Sequence, residues 1–234
     1  MTKMTPLSNE VSIIAKLRAE TYQWFAHLFS QELTHDEIKL YQEGALNTLF
    51  AYFDEIGLTH EVARCKQAIE MLKTIPDAAL ELKGDFAGCF LLDEENGAMP
   101  YASLHLGEDG MMYAEAERKM RELLSKSGLQ ILESFKEPSD HLAIYLALMQ
   151  KWCEQLSREV LKAEEPTNYV SDEYRAQRSF VSNGILAWLP AWNERLSRVA
   201  NCQSEFYQAL GALLLGFIMA DEDYLNSELE RLLI

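Results

Sequence analysis

The sequence predicts an all-α protein of about ten helices, in two helical parts joined by a proline-containing hinge. Three observations carry this expectation. Apolar residues return at steps of three and four through nearly every segment. The breaks between those segments hold residues that start or stop helices. No strand alternation, hairpin signature or internal repeat is found.

The elements follow in chain order. Ser8 stands as N-cap to a first helix with the stripe Val11, Ile14, Leu17, Thr21, Trp24, Phe25 and Leu28. Thr34 and Glu37 have capping-box spacing and open a helix through Ile38, Tyr41 and Leu46. A segment over 47–56 stops near Gly57. The next starts at Thr59, carries Val62, Cys65, Ile69 and Leu72, and is ended by Pro76, which biases the preceding residue away from helix. Asp77 caps a helix with Leu80, Phe86, Cys89 and Phe90 on or near one face. Residues 93–110 break the pattern, with Asn96-Gly97, Pro100, Gly107 and Gly110. Helix resumes over 111–127 and ends at Gly128.

Leu142, Leu146, Met149, Cys153, Leu156 and Val160 then trace a long helix with a narrow apolar seam, and Pro138 suits its first turn. Pro166 closes the following linker. A helix over about 172–189 stops at Pro190, a further one carries Trp192, Leu196 and Val199, and the last covers about 204–220. Trp188 and Trp192 flank Pro190 and pack at a helix corner. The expected organisation is an N-terminal helical domain over 1–129, a hinge over 130–141 and a C-terminal helical domain over 142–234.

Twenty-one basic and 37 acidic residues give a formal charge of −16 in 234 residues. Such a surface repels phosphate, which argues against nucleic acid as a partner. It steers a basic peptide or protein inward, or serves solubility alone. The four cysteines, Cys65, Cys89, Cys153 and Cys202, lie far apart in sequence without metal-ligand spacing, which predicts buried free thiols in a reducing compartment. The longest apolar run, 209–220, is shorter than the roughly 20 residues of a membrane span. The N-terminal residues lack the apolar stretch of a secretory signal. A soluble, cytoplasmic protein is expected.

Nucleotide cradles and hydrolase motifs are missing from the sequence: there is no GxxxxGK[ST], GxGxxG, HExxH or GxSxG. His27, His35, His60 and His105 are scattered and read as surface or core residues. Glu137-Pro138-Ser139-Asp140-His141-Leu142 is different, because it places two carboxylates and a histidine at the mouth of a long helix. Two readings stand there. Asp140 caps the helix with His141 packed nearby, or the pair is a polar recognition point that receives a guanidinium. Phe86, Phe90, Tyr101 and Tyr145 likewise either fill the core or line a peptide groove. The acidic cluster Asp221-Glu222-Asp223, with Glu228 and Glu230, reads as a solvated tail.

Asp77-Ala78-Ala79-Leu80-Glu81-Leu82, Asp85-Phe86 with Phe90 and Leu91, Pro100-Tyr101-Ala102-Ser103, and the phrase from Glu137 to Leu146 with Met149 occur in this order. Trp24-Phe25-Ala26-His27-Leu28-Phe29-Ser30 precedes them and Trp188-Leu189-Pro190 follows. The series resembles the TorD/DmsD family of cytoplasmic, redox-enzyme-specific chaperones of bacterial molybdoenzymes, in particular its trimethylamine-N-oxide reductase branch. The resemblance implies a non-enzymatic protein that binds a twin-arginine signal peptide and the apo form of a molybdoenzyme. It further implies help with molybdenum-cofactor insertion and delay of export until folding is complete. Monomers and dimers, including domain-swapped ones, occur in the family, and weak guanine-nucleotide binding is associated with it; no tightly bound cofactor is implied.

On this reading Asp140 and His141 provide polar recognition near the arginines, and Glu137 is a further signal-peptide or partner-binding residue. Tyr101 and Ser103 shape a groove with Phe86, Phe90 and Tyr145, and Pro138 sets the hinge angle. An enzyme handling nucleotide or cofactor through Asp140 and His141 is the alternative, and an unrelated all-α adaptor is the third reading. No nucleophile, metal triad or phosphate loop accompanies the pair, so the sequence points to binding rather than catalysis.

Overall fold

The computed structural model describes residues 6–91, 95–106, 112–200 and 202–233. Within them the chain is all-α, with ten helices: α1 (Pro6–Ser30), α2 (His35–Gln42), α3 (Asn47–Glu55), α4 (Thr59–Leu72), α5 (Ala78–Phe90), α6 (Met112–Lys126), α7 (Leu142–Glu159), α8 (Pro166–Phe180), α9 (Leu189–Ser197) and α10 (Phe206–Arg231). A 3-10 turn at Ala102–Leu104 precedes α6, and a π turn at Val181–Ile185 follows α8. α1 packs chiefly against α7, and α10 against α4, α9 and α8. Each end of the chain therefore lies on helices from the other side of the 130–141 segment.

Several boundaries follow local chemistry. The Thr34 hydroxyl accepts the Glu37 N–H at 3.3 Å and the Glu37 carboxylate accepts the Thr34 N–H at 2.8 Å, which completes the capping box of α2. That helix stops at Gln42, so Leu46 lies beyond it. Asp77 caps α5 by accepting the Leu80 N–H at 3.0 Å. Gly57 and Gly128 end α3 and α6 at φ +90° and +67°, where a side chain would be strained.

Other expectations need correction. α1 already includes Pro6, so Ser8 is a buried residue inside the helix and not its cap. α7 begins at Leu142 with His141 as its N-cap, so Pro138 belongs to the preceding turn and not to the first helical turn. Pro166 does end its linker, by opening α8, whereas Pro190 opens α9 instead of stopping a helix, because the first helical residues need no donor. The expected 172–189 helix is instead α8 and the π turn, Leu189 belongs to α9, and Val199 lies beyond α9.

The largest correction concerns the acidic cluster. α10 runs on to Arg231, and Asp221 is only 4% exposed. Leu214, Ile218, Asp221 and Leu225 advance by four, three and four, so Asp221 continues the buried stripe. Arg18 does the same on α1, between Ala15 and Tyr22. Arg18 Nε and Nη2 donate to the two Asp221 oxygens at 2.6 and 2.9 Å. Its Nη1 donates to Gln177 Oε1 of α8 at 2.8 Å, and the Tyr22 hydroxyl donates to Asp221 at 2.7 Å. Tyr224 covers the guanidinium, 5.5 Å from its ring centre. Glu222, beside Asp221, accepts a hydrogen bond from Ser182 of the π turn.

Aromatic rings fill the space around this network. Phe25, Phe53, Phe217 and Tyr22 form one cluster, and Phe29, Phe86, Phe90, Trp192 and Tyr207 another. Trp188 and Trp192 are fully buried, as expected of a helix corner. α10 meets α9 closely at Gly211, where a Cβ would stand 2.6 Å from a Leu196 methyl. Among the described residues no helix is long and apolar enough to cross a membrane.

Removing one partner of a buried, hydrogen-bonded ion pair strands the other charge. Arg18→Met is therefore expected to cost about 3–5 kcal/mol in urea unfolding. The double variant Arg18→Met/Asp221→Leu should recover most of that loss. A double variant that loses the sum of the Arg18→Met and Asp221→Leu single losses would show that the charges are not coupled.

Candidate functional site

The irregular segment before α6 and the non-helical segment before α7 hold each other through a short antiparallel bridge between Tyr101 and His141. The Ala102 N–H donates to the Asp140 carbonyl at 3.0 Å, and the Leu142 N–H donates to the Pro100 carbonyl at 2.7 Å. Side chains reinforce it. The Asp140 carboxylate accepts the Ser103 N–H at 3.1 Å, and the Tyr101 hydroxyl donates to Glu137 at 2.5 Å. Ser139 donates to the Glu117 carbonyl at 3.2 Å, which ties the segment before α7 to α6. His141 Nδ1 accepts the Ala143 N–H at 3.1 Å and caps α7.

Ser103, Ser139, Asp140 and His141 are all buried. Burial lowers His141 to about 4, so at neutral pH it is an uncharged ring. Its faces meet Tyr101 and Phe135 in edge contacts at 5.3 and 5.4 Å. Burial, then the bond to Glu137, raises the Tyr101 phenol. His141 Nδ1 and one Asp140 carboxylate oxygen are thus each committed to a backbone N–H, which is not the arrangement of an acid–base pair. Among the described residues no group of three or more His, Cys, Asp or Glu could hold a metal ion.

Two concavities border α6. The first is a cleft of about 470 Å³ lined by Met99, Tyr101, Ser103, Leu104, Glu117, Pro138 and Asp140. Its charged lining is acidic, from Glu117 and Asp140, with Glu137 next to it on the Tyr101 hydroxyl. Glu117 also pairs with Arg121 one turn along α6. The second is a groove of about 490 Å³ between α6, α7, α8 and the π turn. Leu106, Ala116, Met120, Leu123, Tyr145, Trp152, Ala176 and Phe180 give it a mainly apolar wall, with Lys119 and Glu115 at its border. Tyr145 and Phe180 stack at 5.6 Å, and Trp152 meets Phe180 edge-on at 5.3 Å. The π turn places Asn183 and Gly184 in the same lining, a common use of such a bulge.

The structure brings Tyr101, Ser103, Glu137, Pro138, Asp140 and His141 together, and Tyr145 stands in the neighbouring groove. Phe86 and Phe90 lie elsewhere. They are 4% and 1% exposed and sit in the core with Phe29, Trp192 and Tyr207. They support the site from behind, because Trp192 Nε1 donates to the Ala98 carbonyl at 2.8 Å and steadies the segment that carries Tyr101. For Asp140 the expected cap role falls to His141, since the carboxylate turns back to Ser103. Sequence reasoning missed Met99, Leu104 and Glu117 of the cleft, and Trp152, Ala176 and Phe180 of the groove. Glu117 lies in a helix full of charges at four-residue spacing, where nothing distinguishes a functional carboxylate from a solvated one.

The chain as a whole is similar to known proteins. The family model described as "Nitrate reductase delta subunit" matches residues 56–194, a span that includes every residue of the cleft and the groove. The "Chaperone protein TorD" of Psychrobacter sp. (strain PRwf-1) is 35% identical over 215 residues, covering 91% of this chain and 93% of the relative. The protein of that name from Vibrio vulnificus (strain YJ016) is 32% identical over 222 residues, 94% of this chain and 99% of the relative. That from Vibrio cholerae serotype O1 (strain O395) is 33% identical over 228 residues, 96% and 99% of the two chains. No solved structure matches at a comparable level. These relatives bear the name of a chaperone, a non-enzymatic role. By the family model and these identities over most of its length, the chain belongs to the TorD family of redox-enzyme-specific chaperones.

Proposed function

We propose that this protein binds the twin-arginine leader of a molybdoenzyme precursor, trimethylamine-N-oxide reductase, in the cytoplasm. It holds the apoenzyme ready for molybdenum-cofactor insertion and delays export until folding is complete. The observation that carries this reading is the placement of an acidic cleft and an apolar groove side by side against α6. A twin-arginine leader has the complementary order, a basic pair followed by an apolar stretch. A guanidinium makes bidentate bonds to a carboxylate, and an apolar helix or strand fits a groove of aliphatic and aromatic walls. Glu117, Glu137 and Asp140 are the proposed arginine partners. Tyr145, Trp152 and Phe180 are the proposed floor for the apolar stretch. Tyr101, Ser103 and His141 hold the cleft open rather than touch the peptide, and Phe86 and Phe90 back it.

Assembly by exchange is proposed as well. Residues 130–141 carry no helix, and the contacts between α1 and α7 would persist if residues 142–234 came from a second copy. Light scattering on freshly purified and on refolded protein decides it: a dimer fraction that grows on refolding supports exchange, and monomer throughout overturns it.

Binding of a synthetic leader peptide is measured by calorimetry. Asp140→Asn keeps an acceptor for Ser103 while removing charge, and Glu117→Gln is neutral at a part-exposed position. Together they are expected to weaken binding by about tenfold or more, since a hydrogen bond to a charged group contributes roughly 1.5–3 kcal/mol. Ala176→Trp, at an exposed position in the groove wall, should weaken binding to a similar degree with helicity unchanged. Unchanged affinity in both variants would overturn the site.

The buried neutral His141 gives the scaffold a pH dependence of known sign. Its folded value of about 4 lies below the ordinary 6.5, so the unfolded chain takes up the proton first. This contribution is complete above the unfolded value and is lost as pH falls from 6.5 toward 4. Between pH 7 and pH 4.5 the native chain should lose roughly 2 kcal/mol more than His141→Asn, which retains a side chain that caps helices. Parallel losses in urea titrations would show that His141 is already charged in the fold.

A further inference from the structure

Cys89 and Cys202 are 113 positions apart in the chain, yet their sulfurs lie 3.5 Å apart in the fold. Cys89 is fully buried on the last turn of α5, and Cys202 is half-buried in the segment between α9 and α10. Neighbouring bonds already hold that segment to α5. Asp85, one turn before Cys89, accepts the N–H groups of Gln203 and Ser204 at 2.8 and 3.0 Å and the Ser204 hydroxyl at 2.8 Å. Closing the sulfurs to a bond of about 2.05 Å therefore needs only a small shift of a non-helical segment. The other two thiols differ: Cys65 and Cys153 are deeply buried, and Cys153 points its S–H at Gln177.

We propose that Cys89 and Cys202 form an oxidative modification site, at which a low-molecular-weight disulfide converts the two thiols into one intramolecular disulfide joining α5 to the start of α10. Cys202 is the accessible partner and reacts first. The Cys89 thiol beside it lowers the Cys202 thiol to about 7, which supplies thiolate at neutral pH. The Cys202 thiolate attacks one sulfur of the oxidant, the oxidant S–S bond breaks, and one thiol leaves. Cys89 gives up its proton and attacks Cys202 Sγ in the mixed disulfide, and the second oxidant thiol leaves. Two protein thiols are oxidised and one external disulfide is reduced to two thiols. The new bond would also steady the cleft, because the Cys89 carbonyl accepts the Ala98 N–H at 2.7 Å at the root of the segment bearing Tyr101.

The test uses the full chain and oxidised glutathione, with thiol titration, non-reducing peptide mapping and thermal melts. Two of the four thiols should be lost, with a linked Cys89–Cys202 peptide and no retained glutathione. The Tm should rise by roughly 5 °C and return on reduction, as expected for closing a long loop in a domain of this size. Cys202→Ser should melt like the reduced protein and show no rise with oxidant. Glutathione retained on Cys202, four intact thiols, or a linked protein whose Tm does not rise would each overturn the proposal.

Discussion

Arg18 and Asp221 face each other from the first and last helices, where neither charge reaches water. A lone charge in that place would be prohibitive, so the two helices must stay in register wherever the rest of the chain goes. Gln177 brings α8 to the same point, and Cys153 of α7 points its S–H at Gln177. Four helices thus meet at one polar centre inside an aromatic core. The positions of α7 and α8 fix the apolar groove, since Tyr145, Trp152, Ala176 and Phe180 all project from these two helices. The pair specifies a geometry whose consequence is felt at the surface.

The cleft rests on a different device. Two irregular segments, each without regular structure to satisfy its backbone, satisfy one another across the Tyr101–His141 bridge. Buried polar side chains complete the pattern, with Asp140 on the Ser103 N–H, His141 on the Ala143 N–H and Ser139 on the Glu117 carbonyl. This explains why the most distinctive sequence phrase of the chain, Glu137 to Leu142, combines a proline, carboxylates and a histidine without any catalytic outcome. Most of those groups build the mouth of α7, and the proposed recognition chemistry falls to the carboxylates that line or border the cleft.

Much of this was legible from residue order. The all-α class, the capping box at Thr34 and Glu37, the Asp77 cap, the stops at Gly57 and Gly128, and the seam of α7 all rest on local rules that tertiary structure did not override. Local rules failed where a residue type and its position disagreed. Its acidic type makes Asp221 look solvated, although its spacing from Ile218 and Leu225 puts it on the buried face. Arg18 lies on the buried stripe of α1 for the same reason. Pro190 looks like a stop in sequence, since proline marks both ends of helices and only packing says which. The site was half legible: the Pro100–Ser103 and Glu137–Leu142 segments stood out, but their pairing is non-local. Phe86 and Phe90 looked like groove residues because aromatic spacing does not say which side of a helix faces the interior.

The central claim is that the cleft and groove against α6 receive a leader peptide, arginines in the one and apolar stretch in the other. It is tested most directly by photo-crosslinking a twin-arginine leader that carries a benzophenone in its apolar stretch, followed by mass spectrometry of the adducts. Adducts on Leu123, Trp152 and Ala176, in the groove between α6, α7 and α8, are the predicted result. Adducts concentrated in the concavity formed by Ile38, Leu72 and Ala79, between α2, α4 and α5, would contradict it.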